Sequence, residues 1–223
     1  AKGIVKRDVI RVITPGTVIE SNILEDGVNN YLCSICKGDN ETGMCFADVS
    51  TGEFHITVIN GENEEEKIIN QLSTYSPKEI IVNSAASALD NVQRFASVRL
   101  SSSFEKLEDE NFDFNNATEL ILQTISKEEI SSLGIGHSKA AVSALGAVIS
   151  YLRNTQKTDR IEAPSELDFY DKDDFMSLDI SARRNLELTE TMRDKQKRGS
   201  LLWFLDKTKT AMGARQLKSF IEQ

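Results

Sequence analysis

YLCSICKGDNETGMCFADVSTGEFHITVI, residues 31–59, is the stretch that decides the fold. Three runs rich in β-formers, Tyr31 to Lys37, Met44 to Val49 and Phe54 to Ile59, are separated by Gly38-Asp39-Asn40-Glu41-Thr42-Gly43 and by Ser50-Thr51-Gly52-Glu53. Glycine accepts the backbone angles of tight turns, and Asp, Asn and Ser bond their own backbone, so short polar interruptions of this kind read as hairpins. The expectation is an antiparallel three-strand meander.

Downstream the apolar period lengthens from that of a strand to that of a helix. Residues 62–75 place Ile68, Ile69, Leu72 and Tyr75 at helical spacing, with Glu64, Glu65 and Glu66 near the N-terminus, where the helix dipole favours negative charge. Pro77 ends that helix. Residues 79–83 read as a short strand, 85–95 as a second helix and 97–101 as another strand. From Asn115 the pattern is mostly helical. Its longest segment, 138–154, aligns Ala141, Ala144, Leu145, Val148, Ile149 and Leu152, and its small residues would let it approach a sheet closely. The order βββαβα followed by helices is that of a ribonuclease-H-like domain. The fold class is therefore α/β, a mixed sheet with flanking helices, followed by an incomplete all-α segment.

On the upstream side, residues 9–13 read as a strand that stops at Thr14-Pro15-Gly16-Thr17, a turn leading into polar linker. On the downstream side the composition shifts after Gln156: residues 157–173 are polar and hold Pro164, which places a boundary near 158–165. The chain then becomes basic and helical. Thr210 is an N-cap candidate for a helix over 211–223 with Met212, Leu217, Phe220 and Ile221 apolar, and the sequence stops inside it. The organisation expected is thus 1–20, 21–160 and 161–223, the last unit cut short.

With 223 residues, of which 39% are apolar, the chain can bury a core. No apolar run is long enough to cross a bilayer, and the first eleven residues carry charge where a secretory signal needs an apolar stretch, so no membrane association and a cytoplasmic location are expected. Three cysteines, an odd number, point to free thiols in a reducing compartment. The net charge is -9, against the basic footprint of a protein that grips phosphates unaided. Both ends are net basic, so the middle is strongly acidic and better suited to scaffolding or protein contact than to DNA.

Chemical motifs are weak. Gly38 and Gly43 have the glycine spacing of a phosphate loop, but Met44 and Cys45 stand where Lys and Ser/Thr are needed, which leaves a hairpin turn. A two-metal nuclease would need acids converging from the first strand, first helix and fourth strand, and the first strand has none. Asp48 reads as a turn-initiating residue. Cys33 and Cys36 have the spacing of a zinc pair, yet residues three apart on a strand point to opposite faces, and buried thiols are the simpler reading. His55 alternates with apolar neighbours in a strand, and His137 precedes a helix as a loop or capping residue. The run Arg193, Lys195, Lys197, Arg198 could touch a DNA backbone, or be a solvated basic stretch.

Three stretches together resemble the MutS family of mismatch recognition ATPases. They are Arg11-Val12-Ile13-Thr14-Pro15-Gly16-Thr17; Ala47-Asp48-Val49-Ser50-Thr51-Gly52-Glu53-Phe54, with Tyr151-Leu152 and Thr155-Gln156 later; and Met176-Ser177-Leu178-Asp179, Arg183-Arg184-Asn185-Leu186-Glu187-Leu188 and Leu205-Asp206-Lys207-Thr208-Lys209-Thr210-Ala211-Met212-Gly213-Ala214-Arg215. The resemblance covers essentially the entire chain. It implies that 1–20 is the end and exit linker of a mismatch-binding domain, 21–160 a connector domain, and 161–223 the start of a helical lever. It further implies a mechanical role without catalytic, cofactor-binding or metal residues in this fragment, ATP and Mg belonging to a parent protein that is a homodimer and meets mismatched double-stranded DNA. The family's aromatic wedge with a nearby glutamate has no counterpart beyond Phe220 and Glu222, a chance match in the terminal helix. A MutL partner is implied on the helix starting near Asn116, with Glu119, Leu120 and Gln123 as contact residues. The alternatives are a ribonuclease-H-like nuclease and a MutS paralogue outside mismatch repair.

Overall fold

The computed structural model describes residues 11–18, 28–125, 129–135, 137–157, 163–164, 166–170 and 180–222. Strands β1 (Tyr31–Lys37), β2 (Glu41–Asp48) and β3 (Glu53–Asn60) form the expected meander, each antiparallel to the next. There follow α1 (Glu64–Tyr75), β4 (Glu79–Val82), α2 (Asp90–Phe95), β5 (Ser103–Lys106), α3 (Phe114–Ile125), α4 (Lys139–Gln156), β6 (Glu166–Phe169), α5 (Ile180–Asn185), α6 (Leu201–Leu205) and α7 (Ala211–Glu222). The six strands lie in the order β5-β4-β1-β2-β3-β6, with β4 parallel to β1, β5 to β4, and β6 to β3. This mixed sheet with helices on both faces is the α/β, ribonuclease-H-like arrangement that the element order implied.

Alternation along the strands divides the core in two. Leu32, Cys36, Cys45, Ala47, Phe54, Ile56 and Ile81 face α3 and α4, whereas Tyr31, Cys33, Ile35, Met44, Phe46, Ile59, Ile80 and Val82 face α1 and α2. Helix α4 is buried over most of its length, from Ala140 to Ile149. Two glycines permit that seat. A Cβ on Gly43 of β2 would lie 2.2 Å from the carbonyl of Ala140, and one on Gly146 of α4 would lie 2.3 Å from Cβ of Ala117 in α3. Small residues therefore bring α4 close to the sheet, as anticipated, and to α3 as well.

Some expectations are corrected. β2 starts at Glu41 rather than Met44, because Glu41 Oε1 accepts from Ser138 Oγ (2.9 Å) and Ala140 N (3.0 Å) and so ties the early strand to the α4 N-terminus. The strand expected over 97–101 is a widened helical turn continuing α2, with Val98 71% exposed. Ser101 then takes φ 56° and the chain reverses into β5, an edge strand whose polar composition hid it. The helix expected over 85–95 is broken at Leu89, with α2 beginning at Asp90. Of the strand expected over 9–13, residues 9 and 10 lie outside the described residues, and Arg11, Val12 and Ile13 form no strand; the Val12 N–H donates to the Thr155 carbonyl at 2.7 Å. β6 had no counterpart in the sequence reading. Its ladder with β3 is reinforced by Thr57 Oγ1 donating to the Tyr170 carbonyl (3.0 Å) and by Tyr170 Oη donating to Gln71 Oε1 (2.7 Å). Among the described residues, no helix is long and apolar enough to cross a membrane.

Candidate functional site

The stretch at 14–17 forms one helical turn, Pro15–Thr17, with Pro15 at its first position, where the missing N–H is no loss. It sits on the starting end of β1 and β4. Gly16 packs so tightly there that a Cβ would come 2.9 Å from Glu79 Cβ and 3.1 Å from Leu32 Cβ. Glu79, 2% exposed at the start of β4, holds the turn. Its Oε2 accepts from Thr14 Oγ1 (2.6 Å) and from the Gly16 N–H (2.9 Å), and its Oε1 accepts from Tyr151 Oη on α4 (2.8 Å). A buried carboxylate is costly unless such donors replace its water, so one side chain ties the Pro15–Thr17 turn, the sheet and α4 together. Burial and the bond to Glu79 both push the Tyr151 hydroxyl above its ordinary pKa, keeping it protonated as the donor.

A second buried acid lies at the same end. Asp48 closes β2; its Oδ1 accepts from the N–H (2.9 Å) and hydroxyl (2.6 Å) of Ser50, and its Oδ2 accepts from the Asn30 N–H (3.1 Å). The turn-initiating reading of Asp48 is what the geometry shows. Asn30 in turn donates from Nδ2 to the Pro15 carbonyl at 3.0 Å. From the other direction Arg215 of α7 donates from Nη1 to Ser50 Oγ at 3.1 Å. The Pro15–Thr17 turn and α7 thus meet the sheet at the same end. Sequence reasoning read 14–17 as a turn and Glu79 only as the start of a strand, quoted Tyr151 and Arg215 only as pieces of a resemblance, and passed over Asn30.

The sequence-selected residues Glu119, Leu120 and Gln123 all lie on α3 but do not share one environment. Glu119 and Gln123 are exposed, one turn apart, with Gln123 Nε2 donating to Glu119 Oε1 at 3.1 Å. Leu120 is half-buried and packs against the α3–α4 side of the core. Asn115 and Asn116 extend the exposed polar face by one turn.

The remaining motifs resolve as local structure. Gly38 donates to the Glu41 carbonyl at 2.9 Å in the β1–β2 hairpin, and Gly43 lies inside β2. All three cysteines are free and buried; Cys33 faces α1 while Cys36 and Cys45 face α4. Burial pushes all three thiols up, Cys36 to about 11. His55 is buried beside Tyr75, its Nδ1 3.5 Å from Asp168 Oδ2 of β6. His137 is an exposed turn residue next to Ser138, whose hydroxyl caps α4 by accepting from the Ala141 N–H. Thr210 Oγ1 accepts from the Gly213 N–H at 3.1 Å, which bears out its role as the α7 cap. In the basic run Lys197 pairs with Asp206 at 2.6 Å, and hydrogen bonds from Lys197 and Thr208 hold the Asp206 carboxyl well below its usual range. Phe220 lies exposed on α7. Among the described residues, no three His, Cys, Asp or Glu side chains come together as a metal site requires.

Comparison with known proteins gives a consistent picture. Residues 30–165 match the family described as MutS domain II, and residues 181–223 the family described as MutS domain III. β6 lies between the two matched ranges. Over all of its length the chain is similar to the DNA mismatch repair protein MutS of Ruminiclostridium cellulolyticum (41% identical, covering 25% of that protein), of Alkaliphilus oremlandii (42%, covering 26%) and of Clostridium novyi (42%, covering 23%). The chain spans about a quarter of the length of these relatives.

Proposed function

This chain belongs to the MutS family of DNA mismatch repair proteins, and we propose that it works as the mechanical joint of its parent: a connector over residues 21–160 and the first part of a lever over 161–223. In this reading it relays state between a mismatch-binding domain, whose exit is residues 1–20, and an ATPase domain outside this chain. ATP and Mg act in that outlying domain, the parent is a cytoplasmic homodimer on mismatched double-stranded DNA, and the fragment performs no catalysis. The observation that carries the reading is the seat of the exit turn. A segment that merely linked two domains would need no buried carboxylate beneath it, whereas Glu79 binds Thr14, Gly16 and Tyr151 at once. Motion of the turn must therefore load the sheet and α4, which is what coupling between domains requires.

The test uses the parent protein with Thr14→Val and Tyr151→Phe together, which strips two of the three donors from Glu79 while keeping both shapes. Mismatch affinity should stay within about threefold of the original while the ATP-driven change of the DNA-bound state slows by about tenfold, the scale of a typical coupling energy. An unaltered ATP response refutes the relay.

The same reading makes the exposed polar face of α3 the docking site for MutL, through Glu119 and Gln123 with Leu120 supporting them from the core side. Glu119→Lys with Gln123→Glu should abolish capture of MutL by this chain. Undiminished capture would move the docking face elsewhere and leave the relay standing.

A further inference from the structure

We infer that Arg215 is a positioning residue: through the Ser50 hydroxyl, the Asp48 carboxylate and Asn30 it steadies the exit turn, so that α7 and that turn are joined by one hydrogen-bonded path across the end of the sheet. Each link has a defined direction. Arg215 Nη1 donates to Ser50 Oγ (3.1 Å), Ser50 Oγ donates to Asp48 Oδ1 (2.6 Å), the Asn30 N–H donates to Asp48 Oδ2 (3.1 Å), and Asn30 Nδ2 donates to the Pro15 carbonyl (3.0 Å). A serine hydroxyl has a single proton to give, and here it goes to a buried carboxylate while the lone pairs face a guanidinium. A hydroxyl polarised from both sides makes stronger bonds than the same hydroxyl with one partner, so the Arg215 contact tightens the Asp48 contact. Asp48 is fully buried, and whatever shifts its carboxylate is felt by the Asn30 N–H on its other oxygen.

The seat of Arg215 is also poised to open. Its Nε is buried with no hydrogen-bond partner among the described residues, an unfavourable state for an N–H donor, and Nη1 makes the bond to Ser50. A contact with one bond made and one donor left unmet lies nearer to balance than one fully satisfied. It can release without disrupting β2 or β3, because Ser50 belongs to the turn between them. The path is distinct from the Glu79 cluster, with which it shares the exit turn but no side chain.

The inference rests on the relay reading for the purpose of the path and not for its existence. Its test is residue-resolved hydrogen exchange on this chain carrying Arg215→Met, Ser50→Ala, or both. Either single change should speed exchange at the Asn30 and Thr17 amides by about fivefold, and the double variant by no more than either alone, with the Ile35 and Ile81 amides at the sheet centre unchanged as the control for folding. If Arg215→Met leaves Asn30 unaltered, or if the two effects multiply in the double variant, the path is overturned. If exchange is coupled but the parent carrying Thr14→Val and Tyr151→Phe keeps its full ATP response, the relay fails and the path stands.

Discussion

Replacing Gly43 by alanine should be among the most damaging single-methyl additions to this fold. A Cβ built there meets the Ala140 carbonyl carbon and oxygen at 2.2 Å and the Ala141 nitrogen at 2.5 Å, where ordinary contact begins near 3.4 Å. These are backbone atoms of α4, so no rotamer change relieves them, and Ala140→Gly cannot rescue the variant. The helix N-terminus would have to retreat by roughly 1 Å, enough to forfeit part of its dispersion contact with the sheet. Overpacking of this kind costs about 1–3 kcal/mol. The retreat would also stretch the bonds from Ser138 and Ala140 to Glu41 Oε1. As hydrogen bonds to a charged acceptor they are worth about 1.5–3 kcal/mol when well made, and partial loss brings the expected total to about 3–4 kcal/mol. Urea unfolding reads this directly: the midpoint should fall by about 1.5 M with little change in slope. Gly38→Ala is the matched control, since its added carbon meets one carbonyl oxygen at 3.2 Å. If Gly43→Ala unfolds within about 0.5 kcal/mol of the original chain, the range of an innocuous substitution, the close seat of α4 is refuted.

Two further outcomes are expected. Burial alone would raise the Glu64 carboxyl, but hydrogen bonds from Lys37 and Thr42 outweigh it and leave the pKa below the ordinary value. The stability these bonds supply is present above about pH 4.3, the unfolded value, and is lost as pH falls through the lower folded pKa. Glu64→Gln should therefore flatten the stability profile in that acid range, and identical acid limbs for the two proteins would contradict the pairing. Among the thiols, Cys36 should react first with a disulfide reagent, its rate climbing about tenfold per pH unit until near 11, whereas Cys33 and Cys45 wait for opening of the core. Equal rates at all three cysteines would mean that the sheet is not closed over them.

The parts of the fold that could be read from sequence are those in which local chemistry and global position agree. β1 to β3 alternate cleanly between two buried faces and are joined by Gly38 and Gly52 turns, so strand type and order followed directly. Helices α1, α3, α4 and α7 carry one-sided apolar patterns, and Ser138 and Thr210 mark the starts of two of them. Edge strands are a different case: Ser103–Lys106 is mostly exposed, and in Glu166–Phe169 Leu167 packs on the core while Phe169 is exposed, too short a pattern to read as a strand. Val98 and Leu100 imitated a strand because alternation says nothing about whether a partner is near. The seat of the Pro15–Thr17 turn was the least legible part. Glu79 looks like a polar residue opening a strand, and its meaning depends on Thr14 and Tyr151, 65 and 72 residues away along the chain. By contrast Asp48 was readable, since its main partner, Ser50, is two residues on.

The late arrival of β6 bears on how such a sheet is made. Its pairing with β3 spans 113 residues, so a ribosome must deliver the chain through Phe169 before that side of the sheet is paired. Until then β3 leaves the backbone N–H and C=O groups of Glu53 to Ile56 along an open edge, the kind of surface on which unfinished chains add to one another. The charged residues just beyond it, Glu62, Glu64, Glu65, Glu66 and Lys67, emerge immediately afterwards, and the acids among them give neighbouring nascent chains a like-charge repulsion while β3 waits for its partner.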